Sequence, residues 1–200
     1  MFKIIQINTL LKVLIIMSTL LSVGVYTVIK LYLFPNWDLY KIITISSFVS
    51  TFVIFILLIP FCARKIWGIL KWFNNSLYPD LNGEWFGCVV TESGLEVDVR
   101  AVIRQGLLLT EIDMHGKDVK SVTLECTPTM EQGQKKLYYV YRSTSRLLDR
   151  PSYDGSTLFD VLESDHSLSL SGKYYTDRQT IGRIYLTQVS KNNRVDVSYY

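Results

Sequence analysis

The chain has 200 residues, of which 48% are hydrophobic and 20% are charged, and its formal net charge is +3. Its mean hydropathy is positive, which is unusual for a protein that is soluble throughout. So small a net charge does not indicate binding to DNA or RNA. The three cysteines are far apart in the sequence, which suits neither a zinc site nor a disulfide framework, and no metal or cofactor is predicted.

Two long apolar segments lie in the first third of the chain. Residues 13–29 and 42–63 carry no charge, whereas most of the charged residues lie from Asp80 onward. A helix needs roughly 20 apolar residues to cross the hydrocarbon core of a bilayer. The sequence therefore predicts two transmembrane helices, with Lys12 and Lys30 at the ends of the first one reaching the lipid surface.

The distribution of positive charge predicts how these helices are oriented. Five lysines and arginines lie before the first segment or between the second segment and Asp80, and two lie in the connection. Because loops rich in these residues stay in the cytoplasm, we expect the N-terminus and the C-terminal domain to be cytoplasmic. A cleaved signal peptide is the alternative for the first segment. The lack of a small-residue cleavage site and the nearness of the second segment argue against it.

Small hydroxylated residues form a face on each predicted helix. Ser18 and Ser22 are one turn apart on the first helix, and Thr44, Ser47 and Thr51 lie on one half of the second. Such faces favour close helix contact in lipid. The contact is either packing between the two helices of one chain or association between protomers, for which these five residues are the candidates.

The rest of the chain is predicted to be a β-domain, residues 80–200, joined by a basic amphipathic connector, residues 67–79, to the helical hairpin of residues 1–66. Apolar and polar residues alternate with a period of two, and turns that contain glycine separate the runs. The predicted strands are residues 84–91, 95–104, 107–114, 118–130, 136–143, 157–162, 167–176 and 182–190. The predicted turns include residues 115–116 and 154–155.

Eight antiparallel strands without intervening helices predict an up-and-down barrel of the lipocalin or avidin type, or a sandwich. Two local patterns favour the barrel. The segment 81–87 (LNGEWFG) combines glycines, which permit sharp bends, with a Trp that can plug one end. The segment 172–182 (GKYYTDRQTIG) forms a polar hairpin between the last two strands. A barrel of eight strands is filled by side chains or holds one small ligand.

No pattern of catalytic residues is present in the sequence. It contains no nucleophile motif, metal cluster or phosphate-binding loop. His115 and His166 fall in predicted turns, where a histidine is usually solvated. We therefore expect no enzymatic activity and assign no catalytic residue.

Tyrosines and arginines recur on the later strands of the β-domain. Tyr141 and Arg142 lie on the fifth predicted strand, Tyr174 on the seventh, Arg178 in the last hairpin and Arg183 on the eighth strand. Guanidinium groups pair with phosphates, and aromatic rings stack on bases. The alternative is that the tyrosines pack in the core and the arginines are solvated on the surface.

The order of these features resembles a known family. The two-helix anchor, the segments 81–87 and 172–182 and the eight-stranded domain are similar to the SMODS-associating two-transmembrane, β-strand-rich effectors of CBASS, the cyclic-oligonucleotide-based antiphage signalling systems. The resemblance extends in architecture over essentially the whole chain. It implies a non-enzymatic effector whose barrel binds a cyclic dinucleotide. It further implies that the protomers assemble into a homo-oligomer and that the helices disrupt the bacterial inner membrane, so that the infected cell dies.

Chemistry and position in the predicted barrel, rather than the family, select seven candidate ligand-binding residues. They are Trp85, Tyr141, Arg142, Tyr174, Arg178, Thr180 and Arg183. Two other functions are compatible with the same architecture. A membrane-anchored, lipocalin-like carrier of an apolar molecule would have an aliphatic inner face without arginine. A membrane scaffold that docks another protein would respond to no small molecule.

Overall fold

The structure, a computed structural model, describes residues 7–73, 77–106, 109–147, 150–164 and 167–195. The chain forms two compact units. One comprises Ile5–Ile69, and the other contains Leu70–Tyr200. The first unit is built from helices and the second from β-strands.

Three helices follow one another in the described part of the N-terminal region. The first, α1, spans Ile7–Val28 and continues into a π-helical turn at Ile29–Leu33, α2 spans Leu39–Leu58, and α3 spans Pro60–Phe73. The segments Lys12–Leu33 and Leu39–Ile56 are long and apolar enough to cross a membrane, and only 6% and 17% of them, respectively, is buried. Protein atoms therefore leave most of these apolar surfaces uncovered, unlike those of a core helix in a soluble protein.

One face of α2 packs against α1. Ile42, Ser46 and Ser50 repeat every fourth residue on this face and are at most 2% exposed. The two serine hydroxyls donate to backbone oxygens of the preceding turn, Ser46 Oγ to Ile43 O and Ser50 Oγ to Ser47 O, both at 3.0 Å. Small side chains whose hydroxyls are satisfied within their own helix allow close approach of two helices.

The residues predicted to associate protomers divide into two groups. Ser18 and Ser22 on α1 are half-buried, whereas Thr44, Ser47 and Thr51 on α2 are exposed. The half-buried serines agree with packing inside the hairpin. The exposed group is left uncovered by the described residues, and its role between protomers stays a prediction.

A proline separates α2 from α3. Ile59 is extended, with φ −60° and ψ 132°, because a residue that precedes proline is disfavoured in the helical conformation. Pro60 then takes the first position of α3, where its missing N–H is tolerated. The uncharged stretch of residues 42–63 is therefore not one continuous helix, since α2 stops at Leu58.

The second unit is a closed barrel in which every strand is antiparallel to its neighbours and β8 pairs with β1. The strands are β1 Gly83–Thr91, β2 Glu96–Gln105, β3 Thr110–Gly116, β4 Val119–Glu131, β5 Gln134–Ser145, β6 Tyr153–Glu163, β7 Leu168–Thr176 and β8 Ile181–Ser190. The predicted eight-stranded antiparallel barrel is confirmed. The predicted bounds differ from these by at most two residues, except at the starts of β3 and β6.

Two predicted turns lie inside strands instead. Residues 154–155 belong to β6, and residues 115–116 belong to β3. Gly155 is tolerated within a strand because the ring of Tyr141 on β5 covers it: a Cβ at Gly155 would lie 2.5 Å from Tyr141 Cζ. His115 is not solvated as expected. It is 2% exposed, and its Nε2 lies 2.9 Å from Asp113 Oδ1.

The segment before β1 closes one end of the barrel, which we call the closed end. Leu81 and Trp85 are fully buried, and Trp85 Nε1 donates to Leu81 O at 3.0 Å. Asn82 Nδ2 donates to Gln105 O at 2.8 Å, while Asn82 Oδ1 accepts from Gln105 N at 2.9 Å. These bonds provide hydrogen-bond partners for polar groups that burial removes from water. They fix the incoming chain across the end of β2.

Replacing Gly155 by Ala is expected to destabilise the barrel by about 1–3 kcal/mol, because the added Cβ displaces the Tyr141 ring and overpacking costs this much. Urea unfolding of the chain from residue 77 onward, followed by near-ultraviolet circular dichroism, measures the change. Ser156→Ala is the matched control, since Ser156 is exposed on the same strand and should change the free energy by less than about 0.5 kcal/mol. Equal stability of the two variants would contradict the proposed packing.

Candidate functional site

The barrel interior is filled unequally along its length. Toward the closed end the inward side chains are large and at most 1% exposed, and they include Trp85, Ile103, Leu137, Tyr139 and Phe159. Toward the other end, which we call the open end, the inward positions include Gly116, Ser121, Ser143 and Gly155. Small side chains leave space, and a cavity of about 420 Å³ lies there. Ligand pockets in proteins measure roughly 300–1,000 Å³.

Two tyrosines that line this cavity lie over glycines on the neighbouring strand. Tyr141 is paired in register with Gly155, and Tyr174 with Gly182. A Cβ at Gly182 would lie 2.6 Å from Tyr174 Cε1, as the one at Gly155 would meet the Tyr141 ring. An aromatic ring that covers a glycine lies against the sheet. The two rings therefore form an aromatic wall of the cavity without filling it.

Hydroxyl groups lie on the inner surface of the cavity. Ser121 and Ser143 line it and are 5% and 0% exposed. Among the described residues, Ser143 Oγ has no hydrogen-bond partner. A buried hydroxyl without a partner costs about 1–3 kcal/mol. Met114 and Ile184 supply apolar lining, so Ser143 offers an unused hydroxyl within a largely apolar and aromatic surface.

Two arginines lie at the entrance to the cavity, which we call the mouth. A depression of about 660 Å³ at the mouth shares Arg150, Tyr153 and Tyr174 with the cavity lining, and Arg178 lines the depression. Arg178 Cζ lies 4.3 Å from the centroid of the Tyr153 ring, and its Nη2 donates to Pro151 O. The cation–π contact and the hydrogen bond hold the guanidinium at the mouth.

The hairpin between β7 and β8 positions Arg178 by bonding to β6. Asp177 N donates to Asp154 O at 3.0 Å, and Asp154 N donates to Asp177 Oδ2 at 3.1 Å. Within the hairpin, Thr176 N donates to Thr180 O at 3.1 Å, and the two threonine hydroxyls are 2.6 Å apart. The loop is therefore tied to the sheet on both sides of the arginine.

A family model described as "Cap15, cyclic dinucleotide receptor domain" matches residues 76–188, which is more than half of the chain and includes seven whole strands and most of β8. The chain belongs to this family. Its predicted membership in the CBASS effectors is thereby confirmed. No individual curated protein matches the chain. Cap15 receptor domains bind ligands and are not known as a catalytic family.

Four of the seven predicted ligand-binding residues of this Cap15 domain lie together at the open end. Tyr141, Tyr174 and Thr180 line the cavity, and Arg178 lines the depression at the mouth together with Tyr174 and Thr180. The strand register explains the grouping, because β5 to β8 are consecutive neighbours in the barrel. Their role in binding stays a prediction.

The other three predicted residues lie elsewhere. Trp85 is buried at the closed end. Arg142 is exposed and donates to Asp154, Nε to Oδ1 at 2.8 Å and Nη2 to Oδ2 at 2.9 Å. Arg183 lines a separate depression on the outer surface, with Lys173. Successive residues of a strand face opposite sides of the sheet, so Arg142 must point outward once its neighbour Tyr141 points inward.

Ser143, Tyr153 and Arg150 also line the cavity and are not among the predicted ligand-binding residues. Ser143 lies two positions after Tyr141, so the period of two could have indicated its inward position. Tyr153 lies next to residues that were assigned to a turn, although the structure places it at the start of β6. Arg150 lies in the connection between β5 and β6, where no periodic pattern indicates which loops meet in space.

Tyr141 and Tyr174 are neutral at physiological pH. Burial raises the pKa of Tyr141 well above its ordinary value, and the nearby Tyr153 and Tyr174 raise it further. Burial, followed by Tyr153, likewise raises the pKa of Tyr174. Neutral phenols donate hydrogen bonds and do not repel an anion. In the part of the chain that the structure describes, which excludes His166, no cluster of His, Cys, Asp or Glu suits a metal ion.

The buried tyrosines predict a loss of stability in alkali. Burial is the main cause that raises the pKa of Tyr78, Tyr139 and Tyr141 in the folded chain. An unfolded tyrosine ionises near pH 10, so the unfolded state releases protons first. These groups should therefore leave the unfolding free energy unchanged below about pH 10. Above about pH 10 the unfolding free energy should fall, by up to about 1.4 kcal/mol per pH unit for each of these tyrosines.

Urea unfolding of the chain from residue 77 onward at pH 8, 10 and 11 measures this slope. Tyr141→Phe keeps the ring but removes one ionising group. Above about pH 10, the unfolding free energy of this variant should therefore fall less steeply with pH, by the contribution of one tyrosine. A variant with the slope of the unmodified domain would show that Tyr141 ionises equally in both states.

Proposed function

We propose that this CBASS effector binds a cyclic dinucleotide in the cavity at the open end, assembles through its apolar helices and disrupts the bacterial inner membrane. The observation that carries the proposal is a tyrosine-walled cavity with Arg150 and Arg178 at its mouth, within a Cap15 receptor domain. A protein that binds without catalysing a reaction needs such a complementary site and no nucleophile.

The chemistry of a cyclic dinucleotide suits this arrangement. The molecule has two bases and two phosphodiester anions. The rings of Tyr141 and Tyr174 offer aromatic surface to a base, and the buried Ser143 hydroxyl offers a hydrogen bond to its edge. Arg150 and Arg178 at the mouth suit the phosphates. A base inside the cavity and phosphates at the mouth are therefore the expected placement.

The carrier of an apolar molecule is the weaker alternative. That function predicts a cavity lined by aliphatic side chains without arginine. Arg150 lines the cavity, and Lys117 and Asp118 also contribute to its lining. Charged groups at a binding site for an apolar molecule would lose hydration without gaining a partner.

The two apolar helices supply the membrane anchor of the proposal. Lys12–Leu33 and Leu39–Ile56 have the length and apolar composition of membrane spans. The lysines and arginines that flank them favour a cytoplasmic N-terminus and a cytoplasmic barrel. Cys62, Cys88 and Cys126 are free, which agrees with a reducing compartment.

Coupling between ligand and membrane requires a difference in affinity between two states. A ligand shifts the equilibrium toward an assembly only as far as it binds the assembled state more tightly. Confinement to a bilayer raises the effective concentration of protomers, so a small difference suffices. The uncovered hydroxylated residues of α2, Thr44, Ser47 and Thr51, are the candidate contacts between protomers.

Arg178→Ala is expected to weaken the binding of cyclic dinucleotides by roughly 10- to 100-fold, because it removes a charge-assisted hydrogen bond to phosphate. Calorimetric titration of the chain from residue 77 onward with a panel of cyclic dinucleotides measures the affinities. Arg142→Ala is the matched control, since this arginine is paired with Asp154 on the outer surface and should change the affinity less than twofold. Equal losses in the two variants, or no binding of any panel member, would refute the site.

Addition of the bound nucleotide to vesicles that contain the full chain is expected to release an enclosed dye and to increase crosslinking between protomers. Ser47→Leu with Thr51→Leu should reduce both, because the hydroxylated face of α2 is lost. Phe48→Leu with Phe52→Leu is the control pair on the apolar half, at positions that are also exposed. Release that does not depend on the nucleotide, or crosslinking unchanged by the serine and threonine replacements, would contradict the mechanism.

A further inference from the structure

The helix α3 begins where the proposed membrane span ends. The 20 residues of α2 measure about 30 Å at 1.5 Å per residue, and the hydrocarbon core of a bilayer is also about 30 Å thick. The extended Ile59 and Pro60 then interrupt the helix. If α2 crosses the bilayer, as the proposed function holds, α3 starts at the boundary between lipid and water.

One side of α3 is apolar and exposed. At 3.6 residues per turn, Cys62, Ile66 and Ile69 fall within about 60° of arc. Ile66 is 37% exposed and Ile69 is 58% exposed. Protein atoms therefore leave these two isoleucines, a short aliphatic row, uncovered on a helix that lies next to an apolar span.

The remainder of α3 carries positive charge and tryptophan. Arg64 lies opposite the apolar arc, and Lys65 lies at its edge. The sequence contains no acidic residue between Asp38 and Asp80, so the segment that contains α3 is basic. Trp67 follows within the same turn, and tryptophan concentrates at the interface between lipid and water. An anionic surface with apolar material beneath it complements all of these features.

We propose that α3 is a membrane-surface helix that lies in the headgroup layer, with Ile66 and Ile69 toward the acyl chains and with Arg64 and Lys65 on the phosphates of anionic phospholipids. A helix with this division of charge and apolar surface binds in the plane of the interface. Continuation of the span is disfavoured, because Arg64 and Lys65 would enter the hydrocarbon. Free solvation is disfavoured, because it exposes the aliphatic row to water beside a bilayer.

Cysteine labelling of the full chain in vesicles tests this placement. Two single replacements report on opposite halves of α3: Ile69→Cys on the apolar side and Gly68→Cys on the polar side. A Cβ at Gly68 meets no atom within 4 Å, so this replacement fits. Cys62 and Cys88 are first changed to Ala. Cys126 is kept, because burial raises the pKa of its thiol to about 12 and a protonated, buried thiol reacts slowly.

The measured quantity is the ratio of labelling rates, Ile69→Cys over Gly68→Cys, with a membrane-impermeant maleimide. In vesicles of phosphatidylcholine and phosphatidylglycerol we expect a ratio of one tenth or less. In phosphatidylcholine alone the ratio should rise several-fold. Arg64→Glu with Lys65→Glu should raise it at least fivefold in the mixed vesicles, because each cation at an anionic surface contributes about fivefold to binding. Lys120→Glu with Lys173→Glu, which changes two exposed barrel lysines, should leave it unchanged.

A labelling ratio near one, with both positions labelled, overturns the proposal. Protection of both positions also overturns it, because α3 would then be embedded in the bilayer. Equal ratios in the two lipid mixtures overturn the role of anionic lipid. Alkaline carbonate extraction of the same vesicles separates this outcome from failure of the membrane anchor. A chain that stays in the vesicles while Ile69→Cys labels freely refutes the surface helix alone, whereas an extracted chain refutes the proposed anchor.

Discussion

Closure of the sheet is the constraint on which the rest of the structure depends. Eight strands that pair in a ring enclose a fixed volume, so the inward side chains decide whether that volume is core or cavity. At the closed end, Trp85 and its neighbours fill it. At the open end, Tyr141 and Tyr174 lie over Gly155 and Gly182, and the side chains leave a cavity. Core and candidate binding site are thus two halves of one barrel interior, and the packed half supplies the rigidity that a preformed site requires.

The distribution of polar groups along this interior separates two kinds of recognition. Hydroxyls and aromatic rings lie inside, and guanidinium groups lie at the mouth. A ligand that is apolar and flat at one part and anionic at another satisfies both regions, while a purely apolar molecule makes no ionic contact with the arginines. Charge at the mouth also attracts an anion before contact. The Cap15 family match and the geometry therefore agree on one chemical class of ligand.

How much the sequence predicts depends on whether a feature is local. The period of two and the glycine turns are local, and they predict eight strands whose bounds differ little from the observed ones. The conformation of residues 154–155 depends on a ring from another strand, so local turn preferences give the wrong answer. Residue type alone favours Arg142 and Arg183 as ligand-binding residues, although strand alternation places Arg142 outside. Arg150 could not be predicted, because its position depends on which loops meet at one end of a closed sheet. Pro60 is a local signal for the end of α2, because proline interrupts a helix.

The order of the connections has a consequence for how such receptors diversify. All four connections at the open end join strands that are direct neighbours in the barrel, and the chain that leads from the helices enters at the opposite end. An insertion or exchange in any of these four loops alters the entrance without touching the packed half or the route to the helices. Selection for a different ligand can therefore act on short, independent pieces of the gene, and the segment that encodes the helices need not change with it.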